Sequence, residues 1–439
     1  MRRRNGTAYP FPVQKEALKY ILAFNTARPL PEAAPRTLQL PLDIEKVTTL
    51  IGIRRSGKTY LLYETMRRLE ARGVDRRQML YLNFEDDRLL PIKSRELDLI
   101  TQAHAELYPE FAQRKKYIFF DEVQNAPRWE TYVRRLHDTE EAQIFLTGSS
   151  SHLLARELAT GLRGRSISYE VFPLSFEEFL AFSNLKHETY SRTSESRVAA
   201  ALTDYLKVGG LPEVVLAAAD LRPRILKEYV DLVFYKDLME RYRVSNSTVM
   251  RQLLKQCLGQ PAALLTPHKL YNDFRSQGYD LSKDTLYRYL GYLEESYLIF
   301  PLSIADRSLR KRSMNPKKLH PVDWALGYPL VPEQLIDAGR KLETAVFLHW
   351  RRQREDLAYL NADREIDLVV NVERPEVLIN VALSVAQPEA WEREMAALSA
   401  AGEKLPNAER VLVVQEKPQR KPPAGIKAIE AWRYLLGVK

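Results

Sequence analysis

Between Val47 and Gly148 the chain repeats one pattern: a short, nearly unbroken apolar run, then a longer stretch in which apolar residues recur at helical spacing. VTTLIGI, MLYLNF, YIFFDE and AQIFLTG are the apolar runs. Runs of that length, rich in β-branched and aromatic side chains, form strands buried on both faces. Strands alternating with helices predict a mostly parallel sheet covered by helices on both sides. The pattern then changes. Residues 181–245 are largely helical. Within residues 246–305, Thr266-Pro267 supplies a cap and first turn for one helix and Gly278 ends it. Ser282 caps a second helix with Leu286, Leu290 and Leu293 on one face, and the apolar run SYLIFPLSI follows. Helix, short turn, helix and strand in that order predict a winged helix-turn-helix; small helical bundles share the same pattern. Residues 306–439 return to mixed α/β, with EIDLVVN, EVLINVAL and RVLVVQE as strands and AWEREMAALSAA as a helix. Residues 1–36 hold a short helical pattern and a Pro/Ala linker.

Length and composition add three constraints. A chain of 439 residues exceeds the size of a single core, so two or three domains are expected. One cysteine, Cys257, excludes an intramolecular disulfide, and the basic start MRRRNGTAYPFPVQKEAL lacks the apolar run of a signal peptide. No stretch approaches the roughly 20 apolar residues of a membrane span, so a cytoplasmic protein without membrane association is expected. The formal net charge of +9 favours a polyanionic partner such as DNA, although a merely basic soluble protein has the same balance.

The first candidate chemistry lies where the first strand meets a helix. Gly52-Ile53-Arg54-Arg55-Ser56-Gly57-Lys58-Thr59 fits G-x-x-x-x-G-K-S/T at every position. Chance produces such a match in roughly one or two chains per hundred of this length, and the strand before and helix after it reduce that further. Glycines let backbone N–H groups wrap phosphates, and the helix N-terminus adds partial positive charge. Lys58 reaches the β and γ phosphates, Thr59 offers its hydroxyl to Mg²⁺, and the ATP-binding set is Gly52, Arg54, Arg55, Ser56, Gly57, Lys58, Thr59 and Tyr60. The strand YIFFDE closes in Asp121-Glu122: Asp121 would hold Mg²⁺ and Glu122 would polarise the attacking water. The strand AQIFLTG closes in Thr147-Gly148-Ser149-Ser150, whose polar end should lie between the first two strands. Ser149 there is either a phosphate sensor or a helix cap. Among Arg156, Arg163 and Arg165, the last directly precedes a strand; it is either a finger for a neighbouring subunit's γ-phosphate or a solvated surface arginine.

In this order the motifs resemble the AAA+ superfamily. More narrowly they resemble a prokaryotic family in which an AAA-type ATPase precedes a C-terminal domain of unknown function. The matching segments are GIRRSGKT, YLNFEDDRL at 81–89, IFFDEVQN at 118–125, FLTGSSSHLL at 145–154, GRS at 164–166, PLSFEEFL at 173–180, GGLPEVV at 209–215 and KDLMERYRV at 236–244. In the C-terminal part they are NPKKLHPVD at 315–323, Leu342-Glu343 and REIDLVV at 364–370. The resemblance implies a helical lid after the core and a ring-shaped homo-oligomer, hexameric by expectation. Gly210-Leu211-Pro212 looks like the Gly-x-Pro element of signalling ATPases, but Glu213 stands where a lid arginine would follow.

Glu343, Glu365-Ile366-Asp367 and LINVAL resemble the order of PD-(D/E)xK nucleases, which use two carboxylates for metal and a lysine. Asn380 and Ala382 stand where Glu and Lys should be, so a nuclease-like fold without cleavage is expected. Arg307, Arg310, Lys311, Arg312, Lys317 and Lys318 crowd one short span, and Lys283 and Arg288 lie on the second helix of the winged unit; together they are the candidate DNA contacts, directed at backbone phosphate. A solvated charged face is the plainer account of the same residues. The predicted architecture is an α/β P-loop AAA-type core with a parallel sheet at 37–180, a helical lid at 181–245, a winged helix-turn-helix at 246–305 and a C-terminal α/β restriction-endonuclease-like domain at 306–439. The expected activity is ATP hydrolysis with Mg²⁺ by a DNA-binding motor or remodeller. A nucleotide-controlled switch acting on a protein partner and an ATP-dependent nuclease are the alternatives.

Overall fold

A computed structural model describes residues 15–438, apart from 33, 90, 149–160, 163, 186–191, 362 and 363. The described chain divides into two compact units, one formed by residues up to Gly52 together with Gly57–Val171, the other by Ile53–Ser56 together with the chain from Phe172.

The first unit is built on a five-stranded sheet: β1 (Val47–Ile51), β2 (Met79–Asn83), β3 (Lys116–Asp121), β4 (Ala142–Thr147) and β5 (Ser166–Glu170). All pairings are parallel and the order is β2-β3-β4-β1-β5. The four apolar runs are β1 to β4, and β1 is buried at every position, as expected for a strand covered on both faces. Phe119 and Phe145 stack across β3 and β4 with centroids 4.8 Å apart, which fixes the register of those strands on one face. The order matters for function. It places β4 between β1 and β3, so three strands deliver their polar C-terminal ends side by side, the crevice where open parallel sheets bind ligands.

The second unit begins with helices, among them Phe176–Phe182, Arg192–Val208, Pro212–Leu216 and Arg222–Leu232. The last continues into a π-helical stretch, Val233–Glu240. Helices Pro267–Ser276 and Lys283–Glu295 start where Thr266 and Ser282 cap them, each hydroxyl accepting from the N–H three residues on. They are associated with a small antiparallel sheet of β6 (Ala263–Leu265), β7 (Ile299–Leu302) and β8 (Lys317–Pro321), in the order β6-β8-β7. The central strand β8 comes from beyond residue 305, so this sheet crosses the boundary expected from the sequence.

A second five-stranded sheet follows, of β9 (Leu357–Asn361), β10 (Glu365–Val370), β11 (Val377–Ala382), β12 (Glu409–Val414) and β13 (Ile426–Glu430). Its order is β13-β12-β11-β10-β9, antiparallel from β9 to β11 and parallel from β11 to β13. Helix Ala338–Arg351 precedes it, and helix Pro388–Lys404 makes the crossover that the parallel β11/β12 pair requires. Among the described residues, no helix is long and apolar enough to cross a membrane.

Candidate functional site

The loop after β1 has the backbone its glycines allow. Gly52 has φ 140°, and a Cβ there would stand 2.4 Å from the carbonyl oxygen of Val171. Gly57 has φ 99° and is the last residue before helix Lys58–Ala71, so the helix starts at the lysine of the motif. Lys58 is 4% exposed, and its Nζ donates to the Gly52 carbonyl at 3.0 Å. An ammonium folded back on its own loop carries its charge into the space that the loop amides enclose.

At the end of β3 the Asp121 carboxylate is buried and meets three hydroxyls. Thr59 Oγ1 donates to Oδ2 at 2.8 Å, Tyr81 Oη donates to Oδ2 at 3.0 Å, and Thr147 Oγ1 donates to Oδ1. Burial is the main cause raising the Asp121 pKa; the Thr147, Thr59 and Tyr81 hydroxyls pull it down, and the nearby Glu122 raises it. Thr59 and Asp121 thus stand together already, one supplying a hydroxyl and the other a carboxylate, the donor types Mg²⁺ takes beside a nucleotide. These residues fit the cation.

Glu122 occupies the left-handed region, φ 50° and ψ 48°, unusual for a residue with a Cβ and common at functional sites. Two bonds hold it there. Its N–H donates to Thr147 Oγ1 at 2.9 Å, and its Oε2 accepts from Gln124 Nε2 at 2.5 Å. Thr147 therefore ties both acids of the pair from the neighbouring strand. Sequence reading noted Thr147 only as part of a polar strand end and missed Tyr81; its signal was a polar tip on the strand beside β3, within YLNFEDDRL.

The tip of the loop clusters with the second unit. Arg54 Nε donates to both oxygens of the buried Asp237, at 3.0 and 2.9 Å. Arg55, at φ 62°, donates through Nη1 to Glu213 Oε2 at 2.6 Å and lies over the Tyr229 ring, 4.7 Å from its centroid. Glu213 is the residue after Pro212 where a lid arginine was absent, and Asp237 lies in the π-helical stretch. Both guanidiniums are therefore engaged by the chain's own carboxylates. Neither carboxylate was legible in the sequence, since each lies more than 150 residues along the chain from its arginine.

The remaining expected residues are dispersed. Tyr60 is 47% exposed. Ser149, Arg156 and Arg163 lie outside the described residues. Arg165 donates from Nε to Asp138 at 2.9 Å, so a role at another subunit requires it to leave that carboxylate. Among the candidate DNA contacts, Arg307, Arg310, Lys311, Lys283 and Arg288 are exposed, and Arg312 and Lys317 are half-buried. Arg310, Lys311 and Arg312 lie on a short helix, Leu309–Met314, capped by Ser308.

Lys318 does not belong with them. It is 2% exposed, and its Nζ stands 2.8 Å from Glu343 Oε1, 2.6 Å from Glu365 Oε1 and 2.9 Å from Asp367 Oδ1. Lys318 and His320 share one face of β8, where His320 Nδ1 lies 3.2 Å from Thr344 Oγ1 and the imidazole stacks on Phe347. Burial works to lower the Lys318 pKa, but the attraction of Asp367, Glu343 and Glu365 exceeds it and raises the value. A side chain so placed cannot reach a phosphate backbone.

With the geometry in place, comparison with known proteins adds the following. A family model described as an AAA domain matches residues 44–180, and one described as a domain of unknown function (DUF8612) matches residues 199–334. An uncharacterized protein of Methanocaldococcus jannaschii is 33% identical over 350 residues, covering 78% of this chain and 76% of its own. An uncharacterized protein of Haemophilus influenzae is 28% identical over 348 residues, covering 79% and 84%. Among solved structures, the Walker-type ATPase of Pyrococcus abyssi matches with a TM-score of 0.41 at 14% identity, over 65% of this chain and 90% of that one. The Aeropyrum pernix ORC1 protein, solved in complex with DNA, matches with a TM-score of 0.30 at 14% identity, over 74% and 94%.

Proposed function

The chain belongs to a family of P-loop ATPases with an AAA domain, and from that premise we propose that it hydrolyses ATP to ADP and phosphate with Mg²⁺. The observation that carries the reading is the 2.8 Å bond between Thr59 Oγ1 and Asp121 Oδ2 at the foot of a complete phosphate loop. The loop amides and Lys58 bind the phosphates. Thr59 and Asp121 hold the cation, which when bound neutralises charge on the β and γ phosphates. Glu122, fixed by Thr147 and Gln124, orients the attacking water and takes up its proton. Ser149 senses the γ-phosphate, and Arg165 acts across a subunit boundary of a ring-shaped homo-oligomer, released from Asp138.

The proposed work of the cycle is binding and moving or remodelling DNA. The exposed basic residues Arg307, Arg310 and Lys311, with Lys283 and Arg288 on the helix that starts after Ser282, support it. They are suited to backbone phosphate, because guanidinium and ammonium groups outnumber base-reading amides there. A second reading rests on the loop tip. Within the second unit, Arg54 pairs with Asp237 and Arg55 with Glu213, which suits a switch whose nucleotide state is read by a protein partner. The ATPase rate with duplex, single-stranded or branched DNA, at two salt concentrations, separates the two. Strong, salt-sensitive stimulation supports the DNA motor. Slow turnover indifferent to every DNA supports the switch.

A further inference from the structure

Three carboxylates of the second unit converge on one point. Glu343 reaches it from helix Ala338–Arg351, and Glu365 and Asp367 reach it from β10. Oxygen ligands gathered from separate elements onto one point are what a divalent cation needs, typically at 2.0–2.6 Å. The surrounding order runs helix, three strands, helix and strand, and the resemblance to PD-(D/E)xK nucleases read from the sequence implies that a catalytic metal would stand at this point. Here the point is filled from within the chain by the Lys318 ammonium, 2.6–2.9 Å from all three carboxylates.

We infer that Lys318 is the resident cation of this site, a side chain from the neighbouring three-stranded sheet that plugs the metal position of the second five-stranded sheet. Two further features agree. Both Asp367 oxygens are engaged, Oδ1 by Lys318 and Oδ2 by the Val381 N–H at 2.9 Å. Asn380, where a nuclease would place a second carboxylate, turns its amide to Glu394 at 2.7 Å. With the ammonium at the convergence point the residues present do not fit a nuclease metal, and Lys318 links β8 to helix Ala338–Arg351 and to β10.

The inference predicts a site that appears when the ammonium is removed. Lys318→Ala leaves Glu343, Glu365 and Asp367 facing one another, and a divalent ion relieves their repulsion. Mn²⁺ binding to the full-length, nucleotide-free chain is followed by the electron paramagnetic resonance of free Mn²⁺. Wild type and Asp367→Asn should bind the same number of ions, with Asp121→Asn reporting any ion held by the phosphate-loop site. Lys318→Ala should gain one ion per chain, lost again in the Lys318→Ala/Asp367→Asn double variant. A folded Lys318→Ala protein that gains none overturns the inference. So does a wild-type ion that Asp367→Asn removes, or Mg²⁺-dependent DNA cleavage by wild type that Asp367→Asn abolishes. Should Lys318→Ala fail to fold, the wild-type and Asp367→Asn comparison still decides.

Discussion

Replacing Thr147 by valine removes one hydroxyl and almost nothing else, yet that hydroxyl serves two masters. It donates to Asp121 Oδ1 and accepts from the Glu122 N–H at 2.9 Å, inside a strand end that is fully buried. A hydrogen bond to a charged group contributes about 1.5–3 kcal/mol, and an orphaned buried N–H costs about 1–3 kcal/mol. Thr147→Val should therefore destabilise the chain by about 2.5–6 kcal/mol, less where water enters the gap. Glu122 loses the bond made by its backbone N–H, and turnover should fall roughly 10–100-fold, the scale of a small misplacement of a catalytic group. The charge on Asp121 adds a pH signature. Its pKa is already raised, mainly by burial, and the Thr147 hydroxyl opposes that rise. Cation binding needs the carboxylate, so Mg²⁺-dependent nucleotide affinity weakens as pH falls through that raised value. Removing the hydroxyl should move the weakening to higher pH. Urea unfolding, steady-state turnover and nucleotide titration across pH measure all three, with Thr147→Ser as the control that restores them. A valine variant within about 0.5 kcal/mol of wild type, with unchanged turnover, would refute the account of Thr147 as the tie between the two acids.

Other outcomes follow from the same geometry. Lys58→Ala should weaken ATP binding at least tenfold by equilibrium titration, and unchanged affinity would remove the phosphate-loop assignment. Glu122→Gln should bind ATP as wild type does but turn it over roughly 100-fold or more slowly; a wild-type kcat would sink its role. A double-mutant cycle of Arg54→Ala and Asp237→Asn should show a coupling of about 1–3 kcal/mol in unfolding experiments, because the pair is largely buried and bonded through both carboxylate oxygens; additive effects would mean that the loop tip is held by other means. Burial, then the nearby Asp367, raises the pKa of Glu343, so its ionisation opposes folding as pH climbs from the ordinary carboxylate range through the raised value. Glu343→Gln fixes the neutral form, and its pH–stability curve should lack that downward step.

What the sequence disclosed is what is local. A strand, a glycine-bounded loop and a helix are contiguous, so the phosphate loop is legible from eight neighbouring residues, Gly52 to Thr59. Asp121 was legible for the same reason, as the last residue of an apolar run. The caps at Thr266 and Ser282 belong to this class, since a cap acts on an N–H three residues away. Arg54 and Arg55 mark where local reading ended. Their positions in the motif tolerate any residue, and their partners Asp237 and Glu213 are brought in by the helical packing of the second unit.

Lys318 shows the same limit from the other side. Charge density along residues 307–318 gives every basic residue equal weight, but a strand does not treat neighbours alike. Alternation puts Lys318 and His320 on one face of β8 and Lys317 on the other; Lys318 is buried among carboxylates and Lys317 is half-buried. Sequence reading asked where the nuclease lysine had gone on β11, at Ala382, and found none. The cation that meets Asp367 comes instead from a strand 49 residues earlier in another sheet. Its arrival from outside the second five-stranded sheet makes it a plug: a lysine on β11 would move with the carboxylates it serves, whereas one on β8 fastens two sheets together and fills the metal position in the same act. The acidic cluster and Lys318 are therefore parts of one construction, set apart from the exposed basic residues that precede it.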